Sequence, residues 1–322
     1  MRSLEYGRKK EEWKEGRVSK TPCSDAHWAS RGPLRQPFQR SMSVGGTMEN
    51  STGTESLEAF FRRDPRTADW ALVGSKQFIV FLIAAYVYTV KIGGPQFMKG
   101  RKPYDNIKPL IMLYNAAMVL LNCYFVGAFF SMTYWGGGYS LFCQGIDFEA
   151  RDERTMGLLS HVWWYFMVRI ADFLDTIFFV LRKKDSHISF LHVIHHILVV
   201  LNGWYGLAYG ADGHAAFGTI FNSFVHVVMY SYYFLSLLGP SVQKYLWWKR
   251  YLTQFQLAQF VIMFFHMTIP LFVKCGYPLA HICITLPQGV FFFSMFMNFY
   301  IKSYCNRRRE PQHREDVKIK DQ

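Results

Sequence analysis

The sequence is poor in cysteine and shows neither a secretory leader nor a nucleic-acid-binding motif. Its 6 cysteines in 322 residues are too few for a disulfide framework. No short apolar core precedes a small-residue cleavage site near the N-terminus. Lys and Arg number 36 against 23 Asp and Glu, but they lie in short loops between apolar segments and not in a recognition motif. A disulfide-rich domain is thereby excluded, and no nucleic-acid partner is expected.

Long apolar segments are what the sequence has instead, since 51% of its residues are hydrophobic and 18% aromatic. A membrane-spanning helix needs roughly 20 largely apolar residues. Seven segments meet this need, at about 70–90, 107–130, 160–181, 188–208, 215–238, 252–272 and 279–300. The sequence therefore predicts an all-α polytopic membrane protein with seven transmembrane helices, called spans one to seven below.

The loops after spans one, three and five hold most of the loop cations, among them Lys183, Lys184, Lys249 and Arg250. Because Lys and Arg stay on the cytosolic side, this bias predicts a lumenal N-terminus and a cytosolic C-terminus. Cys143 and Cys275 then share the lumenal side, where an oxidising compartment would let them pair.

Outside the spans the chain is polar. Residues 1–56 lack an apolar period and are predicted to be disordered. Residues 57–304 form one seven-helix membrane domain, and residues 305–322 form a tail. Lys318 and Lys320 sit fifth and third from the end of that tail, the pattern of a dilysine retrieval signal, which predicts a multi-pass protein of the endoplasmic reticulum membrane.

Span four carries three histidines, His192, His195 and His196, in an HxxHH box. Positions three and four apart share a helix face, so the three rings are expected to point together. The helix enters from the cytosolic side, which puts the rings about 6 to 12 Å inside at a rise of about 1.5 Å per residue. Ionisable groups at membrane depth are costly and mark a functional site by default.

Three other spans present polar groups at a similar depth. These groups are Arg169, Asp172 and Asp175 on span three, Asn222, His226 and Tyr230 on span five, and Gln256 and Gln259 on span six. Because charged and amide groups at this depth need partners, they are expected to face inward and line one closed cavity that opens to the cytosol.

Three functions fit this cavity. Membrane di-iron desaturases and oxidases use HxxHH boxes, but they need several boxes, so a metal site here would be a smaller one completed by Asp172 and Asp175. In acyl transfer, one imidazole attacks a thioester, a second moves a proton and a carboxylate holds the tautomer. Asn222, Tyr230 and the glutamines would then stabilise an oxyanion or enolate. The third function is that of a non-enzymatic seven-span lipid carrier or receptor.

The ordered motifs DFLDT, LRKKDSHISFLHVIHH, NSFVHVVMYSYY, YLTQFQLAQF and NFYIKSY closely resemble the very-long-chain fatty acid elongases of animals, over about residues 60–304. The resemblance implies decarboxylative condensation of a long-chain acyl-CoA with malonyl-CoA to 3-ketoacyl-CoA, carbon dioxide and CoA. It implies no metal or cofactor, and a barrel of spans two to seven around an acyl tunnel with span one outside. Membrane lipid and the other elongation-cycle enzymes are expected partners.

The resemblance also implies roles for individual residues. His195 would be the nucleophile that forms an acyl-imidazole, and His226 would face it across the tunnel and assist the second half-reaction. His192 and His196 would support geometry or proton handling, with Asp172 and Asp175 as orienting carboxylates. The topology alone suggests CoA-phosphate contacts for Lys183, Lys184, Lys249 and Arg250. Where the family usually has Lys and Glu, this chain has Arg169 and Asp172, which keeps the charges but changes their reach.

Overall fold

The computed structural model describes residues 62–305, and within that range the chain forms helices and no strand. The helices are α1 (Lys76–Tyr88), α2 (Gly94–Met98), α3 (Lys108–Phe130), α4 (Glu153–Ala171), α5 (Phe173–Leu181), α6 (Phe190–Tyr209), α7 (Ala215–Ser236), α8 (Pro240–Gln243), α9 (Lys249–Phe272) and α10 (Leu279–Tyr300). The predicted N-terminal disorder and the dilysine tail fall outside the described residues.

Among residues 62–305, five helical stretches are long and apolar enough to cross a membrane, which makes the chain a polytopic membrane protein. They are Lys76–Met98, Asp105–Trp135, Phe190–Tyr209, Lys249–Phe272 and Leu279–Cys305. The segments predicted as spans three and five are also helical, as α4–α5 and α7. Their charged and amide side chains make these two segments less apolar, so the seven-span count stays a prediction.

Two predicted helix boundaries differ from those observed. Span one was expected from residue 70, but α1 begins at Lys76, where the Ser75 hydroxyl accepts a hydrogen bond from the Phe78 N–H. Span three was expected as one helix from residue 160. Instead α4 begins at Glu153, because the Asp152 carboxylate caps it, and the helix is interrupted at Asp172. Apolar composition located these helices, whereas capping side chains set their ends.

Six of the predicted spans contact one another in a closed order. Helix α3 packs against α7, α7 against α9, α9 against α10, α10 against α6, α6 against α4, and α4 back against α3. Helix α1 lies outside this ring and packs against α6, while α2 packs against α5. This is the arrangement that the resemblance implies for spans two to seven with span one outside.

The α4–α6 contact of the ring depends on a small residue. A Cβ atom added to Gly203 of α6 would lie 2.7 Å from the Phe166 ring of α4. Glycine at this position therefore lets the two helices approach closely, as small residues do where helices pack in membranes. This approach brings the polar faces of α4 and α6 to the same interior.

One end of the ring is held by a disulfide between Cys143 and Cys275, the two cysteines that were predicted to pair. This end is called the disulfide end below. Near it, Arg66 forms ion pairs of 2.7 Å with Asp64 and 2.8 Å with Asp212. Burial alone would lower the pKa of Arg66, but its hydrogen bonds to these two carboxylates raise that pKa above its ordinary value. The cluster therefore joins the segment before α1 to the α6–α7 connection.

Candidate active site

An apolar cavity, the inner cavity, runs inside the ring. Residues of α4, α6, α7, α9 and α10 line it. Predicted site residues stand at one end of its lining: Arg169, His195, Asn222 and Gln259. At the disulfide end its wall contains Gly210, Tyr277 and His281. A long apolar enclosure that begins at ionisable groups suits a ligand with a reactive head and a hydrocarbon tail.

His195 faces this cavity. Its ring centroid lies 5.2 Å from that of Phe292 and 6.1 Å from that of Phe296, both on α10. Within residues 62–305, neither ring nitrogen of His195 is hydrogen-bonded to a protein group. An imidazole with an uncommitted nitrogen in an apolar chamber is available to attack an electrophile.

The other two box histidines point elsewhere. His192 Nε2 lies 2.9 Å from the Thr176 hydroxyl, which in turn lies 2.8 Å from the Tyr86 hydroxyl of α1. His196 packs 4.5 Å from His192, between centroids, and is buried. The expectation that all three rings share one direction is thus met only for His192 and His196. Neighbouring residues 195 and 196 diverge by about 100° around a helix with 3.6 residues per turn.

Arg169 is the centre of a buried polar cluster and is 1% exposed. Its Nη1 lies 2.5 Å from His226 Nδ1, and its Nη2 donates to Asn122 Oδ1 at 3.1 Å. It also forms an ion pair with Asp172 at 3.2 Å. One guanidinium therefore ties α4 to both α3 and α7.

The contact with Arg169 defines how His226 can act. Arginine stays protonated in proteins and only donates, so His226 Nδ1 must accept. The ring is then neutral with its hydrogen on Nε2. In this arrangement the one hydrogen that His226 can donate is on Nε2, and Nδ1 cannot take a proton. His226 is buried and does not line the inner cavity, so a position facing His195 across the tunnel stays a prediction.

The predicted carboxylates have partners other than histidine. The Tyr230 hydroxyl lies 3.0 Å from Asp172 Oδ1 and 2.7 Å from Asp175 Oδ2. Asp172 is further bound to Arg169. These carboxylates were expected to hold a histidine tautomer, but they contact Tyr230 and Arg169 instead of a histidine. Tyr230 was expected to face a substrate oxyanion, but its hydroxyl donates to a carboxylate. The carboxylates position Arg169, which in turn positions His226.

The predicted amides divide between cavity and packing. Asn222 lines the inner cavity and accepts a hydrogen bond from the Tyr165 hydroxyl at 2.8 Å. Gln259 lines the same cavity, 3.3 Å from the Met263 sulfur. The Gln256 amide lies 3.6 Å from the Met229 sulfur, between α9 and α7. Of the predicted amides, Asn222 and Gln259 are thus the ones that line the inner cavity.

A second cavity, the outer cavity, opens at the end of the ring opposite the disulfide end. Four cations line it, namely Lys108, Arg182, Lys184 and Lys249, against one carboxylate, Asp175. His187 also lines this cavity. Burial and the charges of Lys249 and Lys184 lower the pKa of His187. A cavity with this positive potential suits a polyanion.

Two of the four predicted phosphate contacts do not line this cavity. Lys183 lies two residues beyond the end of α5 with φ of 51°, and Arg250 donates to the Tyr300 hydroxyl at 2.8 Å. Lys184 lines the cavity and its neighbour Lys183 does not. The charge of the loop cannot distinguish these two lysines, because the chain reverses direction there. Arg182 and Lys108 were absent from the predicted set and do line the cavity.

Comparison with known proteins gives the chain its relatives. The profile of the GNS1/SUR4 family, ELO, matches residues 71–312. The chain belongs to the ELO family. It is 40% identical to mouse very long chain fatty acid elongase 4 over 79% of this chain and 82% of that protein. It is 37% identical to very long chain fatty acid elongase 7 of Drosophila melanogaster over 76% of this chain and 74% of that protein. It is 38% identical to rat very long chain fatty acid elongase 7 over 80% of this chain and 91% of that protein.

Three residues of the buried polar cluster in this ELO-family site were also not predicted, namely Tyr86, Asn122 and Tyr165. Asn122 carried a readable signal, because Asn115 lies seven residues earlier in an otherwise apolar run and both are buried. Two polar residues two turns apart mark an inward helix face. Tyrosines in aromatic-rich spans carry no such signal. Within residues 62–305, no group of three or more His, Cys, Asp and Glu could hold a metal ion.

Proposed function

We propose that this ELO-family protein catalyses the condensing step of fatty acid elongation. A long-chain acyl-CoA and malonyl-CoA would give 3-ketoacyl-CoA, carbon dioxide and CoA, which makes the enzyme a 3-oxoacyl-CoA synthase. The single observation that carries the proposal is His195, which has no hydrogen-bond partner within the described residues and stands where a polar layer meets the apolar inner cavity. The names of the relatives support the same chemistry.

In the first half-reaction, a nitrogen of His195 attacks the thioester carbonyl of acyl-CoA. The carbon–sulfur bond breaks, CoA leaves as the thiolate and takes up the proton that the imidazole loses, and an acyl-imidazole remains. The neutral His226, with its hydrogen on Nε2, would donate to the carbonyl oxygen as negative charge develops there. Asn222 is a second candidate donor, since its oxygen is already engaged by Tyr165.

In the second half-reaction, malonyl-CoA loses carbon dioxide, and the electrons of the broken carbon–carbon bond form an enolate. The enolate carbon attacks the acyl-imidazole carbonyl, the carbon–nitrogen bond breaks, and the imidazolate that leaves takes up one proton from water, which restores neutral His195. His192, which contacts Thr176, and His196, which packs on His192, would handle protons. Asp172 and Asp175 would act indirectly, by holding Arg169 and thereby His226.

The two cavities suit the two parts of each substrate. The inner cavity would hold the acyl chain, while Lys184 and Lys249 of the outer cavity would bind CoA phosphates. Malonyl-CoA would use the same phosphate contacts after the first CoA has left, as a ping-pong mechanism requires.

The same proposal covers the location. We propose seven spans with a lumenal N-terminus and a cytosolic C-terminus in the endoplasmic reticulum membrane, so that the outer cavity faces cytosolic CoA substrates. The Cys143–Cys275 disulfide then lies on the oxidising side. The other elongation-cycle enzymes are the proposed protein partners, and the reaction is proposed to use no metal or cofactor.

The experiment is a microsomal assay of the full chain with labelled malonyl-CoA and a panel of acyl-CoA substrates. Wild-type protein should form labelled 3-ketoacyl products, and His195→Ala at equal expression should form none. Unchanged elongation in that variant would favour a lipid carrier. Stoichiometric iron in the purified protein would instead favour a metal-dependent lipid oxidase.

A further inference from the structure

The inner cavity ends, at the disulfide end, on two polar side chains. Tyr277 is 8% exposed and His281 is 4% exposed, and both line the cavity. The Tyr277 hydroxyl and His281 Nδ1 are buried, and neither has a hydrogen-bond partner within residues 62–305. Buried polar atoms are paired in the great majority of cases, so two unpaired atoms in one cavity wall call for a ligand that pairs them.

The two atoms complement each other as a receptor for a hydroxyl group. The His281 ring is bonded through Nε2 to the Gly210 carbonyl at 2.9 Å, so in the neutral ring Nδ1 is an acceptor. The Tyr277 hydroxyl can donate, and its ring centroid lies 5.5 Å from that of His281. An alcohol has one hydrogen to give to Nδ1 and lone pairs for Tyr277. A methyl group satisfies neither atom, and a carboxylate would meet the Nδ1 lone pair.

The middle of the cavity differs from this end. There the polar residues Thr285 and Gln288 already donate to the backbone carbonyls of His281 and Leu198. Asn202 also lines this part of the cavity, and its amide has no hydrogen-bond partner among residues 62–305. A hydroxyl in mid-chain would therefore have this one amide beside it, whereas a hydroxyl at the chain end would have both Tyr277 and His281.

The distance from His195 sets the length of chain that reaches the polar end. Phe292, which packs on His195, follows His281 by eleven residues on α10, or about 16 Å of helix. A zigzag chain with carbon–carbon bonds of about 1.5 Å advances roughly 1.3 Å per bond. An extended acyl group of about 12 to 16 carbons bound at His195 would place its last carbon beside Tyr277 and His281.

We infer that Tyr277 and His281 bind a terminal hydroxyl group on the acyl chain, so that ω-hydroxyacyl-CoA is a substrate class of this enzyme. The inference rests on the proposed function, since it concerns the chain that His195 would carry. These two residues would distinguish a hydroxyl group from a methyl group at the chain end, which hydrocarbon packing alone would not do.

The test compares matched acyl-CoA substrates of 12, 14 and 16 carbons, with and without a terminal hydroxyl, on the full-length protein. At one of these lengths the hydroxylated member should have a kcat/KM about 3- to 10-fold above that of its plain partner, the range for one net hydrogen bond. Tyr277→Phe, which removes only the oxygen, takes away one of the two partners and should lower this ratio. Tyr209→Phe is the matched control, because Tyr209 is buried nearby and does not line the cavity, and it should keep the wild-type ratio.

A second measurement uses the wild-type protein alone and is independent of variant folding. Moving the hydroxyl from the end to the middle of the same chain should lower the preference. Equal kcat/KM for plain and terminally hydroxylated substrates at every length would overturn the inference, as would a wild-type preference that is unchanged in Tyr277→Phe. Failure of the proposed function is distinct, because then the wild-type protein elongates neither member of a pair.

Discussion

Replacing Arg169 by lysine would keep the charge of the site and remove part of its geometry. The guanidinium contacts His226 through Nη1 and Asn122 through Nη2, and it pairs with Asp172. Lysine has one nitrogen, so it cannot reach both acceptors while holding the carboxylate. A hydrogen bond from a charged group is worth about 1.5–3 kcal/mol, which corresponds to roughly 10- to 150-fold in rate if the bond orients His226 in the transition state.

Asp172→Glu should also impair the enzyme, because the added methylene has no room beside a fully buried Arg169. Overpacking of this kind costs about 1–3 kcal/mol. The double variant Arg169→Lys with Asp172→Glu has the pair that the family resemblance implies at these positions. A shorter cation then contacts a longer carboxylate, so the double variant should recover activity. The interaction free energy between the two substitutions, from the double-mutant cycle, should be about 0.5–3 kcal/mol.

The assay for this pair is the elongation rate of wild type, both single variants and the double variant, each normalised to folded protein by size-exclusion chromatography in detergent. CoA release from acyl-CoA alone, measured in parallel, reports the first half-reaction separately. Single variants that run at the wild-type rate would refute the role given to Arg169. If the elongation rate of the double variant were reduced by the product of the two single reductions, the two substitutions would not compensate for each other and this prediction would be refuted.

Three further changes test the outer cavity and the disulfide end. Lys184→Gln should raise KM for acyl-CoA about 3- to 10-fold through a lost phosphate contact, whereas Lys183→Gln should leave KM unchanged in the same steady-state assay. Cys275→Ser should lower the thermal unfolding temperature, as a lost disulfide typically costs about 2–4 kcal/mol, and reductant should shift wild type but not the variant. Arg66→Ala leaves Asp212 buried without its cation, so unfolding should become easier by about 3–5 kcal/mol, measured by thermal scanning fluorimetry; wild-type stability would contradict this.

The helix faces of the site were readable from the sequence because side-chain spacing fixes them. Asn222, His226 and Tyr230 recur every four residues, and each contacts a residue of α4 or α5 in the structure. The apolar segments likewise located every long helix of the ring. Their ends were less predictable, since caps such as Ser75 and Asp152 act outside the apolar pattern.

Partner choice within the site could not be predicted, because it depends on distances between helices far apart in sequence. Arg169 could have paired with either aspartate, and only the packing of α3 and α7 gives it Asn122 and His226. The same limit applies to Lys183 and Lys184, which are equivalent in sequence and differ in which one faces the outer cavity. Helical spacing thus predicts faces, whereas tertiary packing decides contacts.

The most direct test of the central claim is to incubate purified protein with acyl-CoA in the absence of malonyl-CoA. The account predicts release of about one equivalent of CoA per active site and an acyl group on His195, found by peptide mass spectrometry, with a burst that ends when the site is filled. His195→Ala should give neither the burst nor the adduct. CoA release that requires malonyl-CoA, or an acyl group on any other residue, would contradict it.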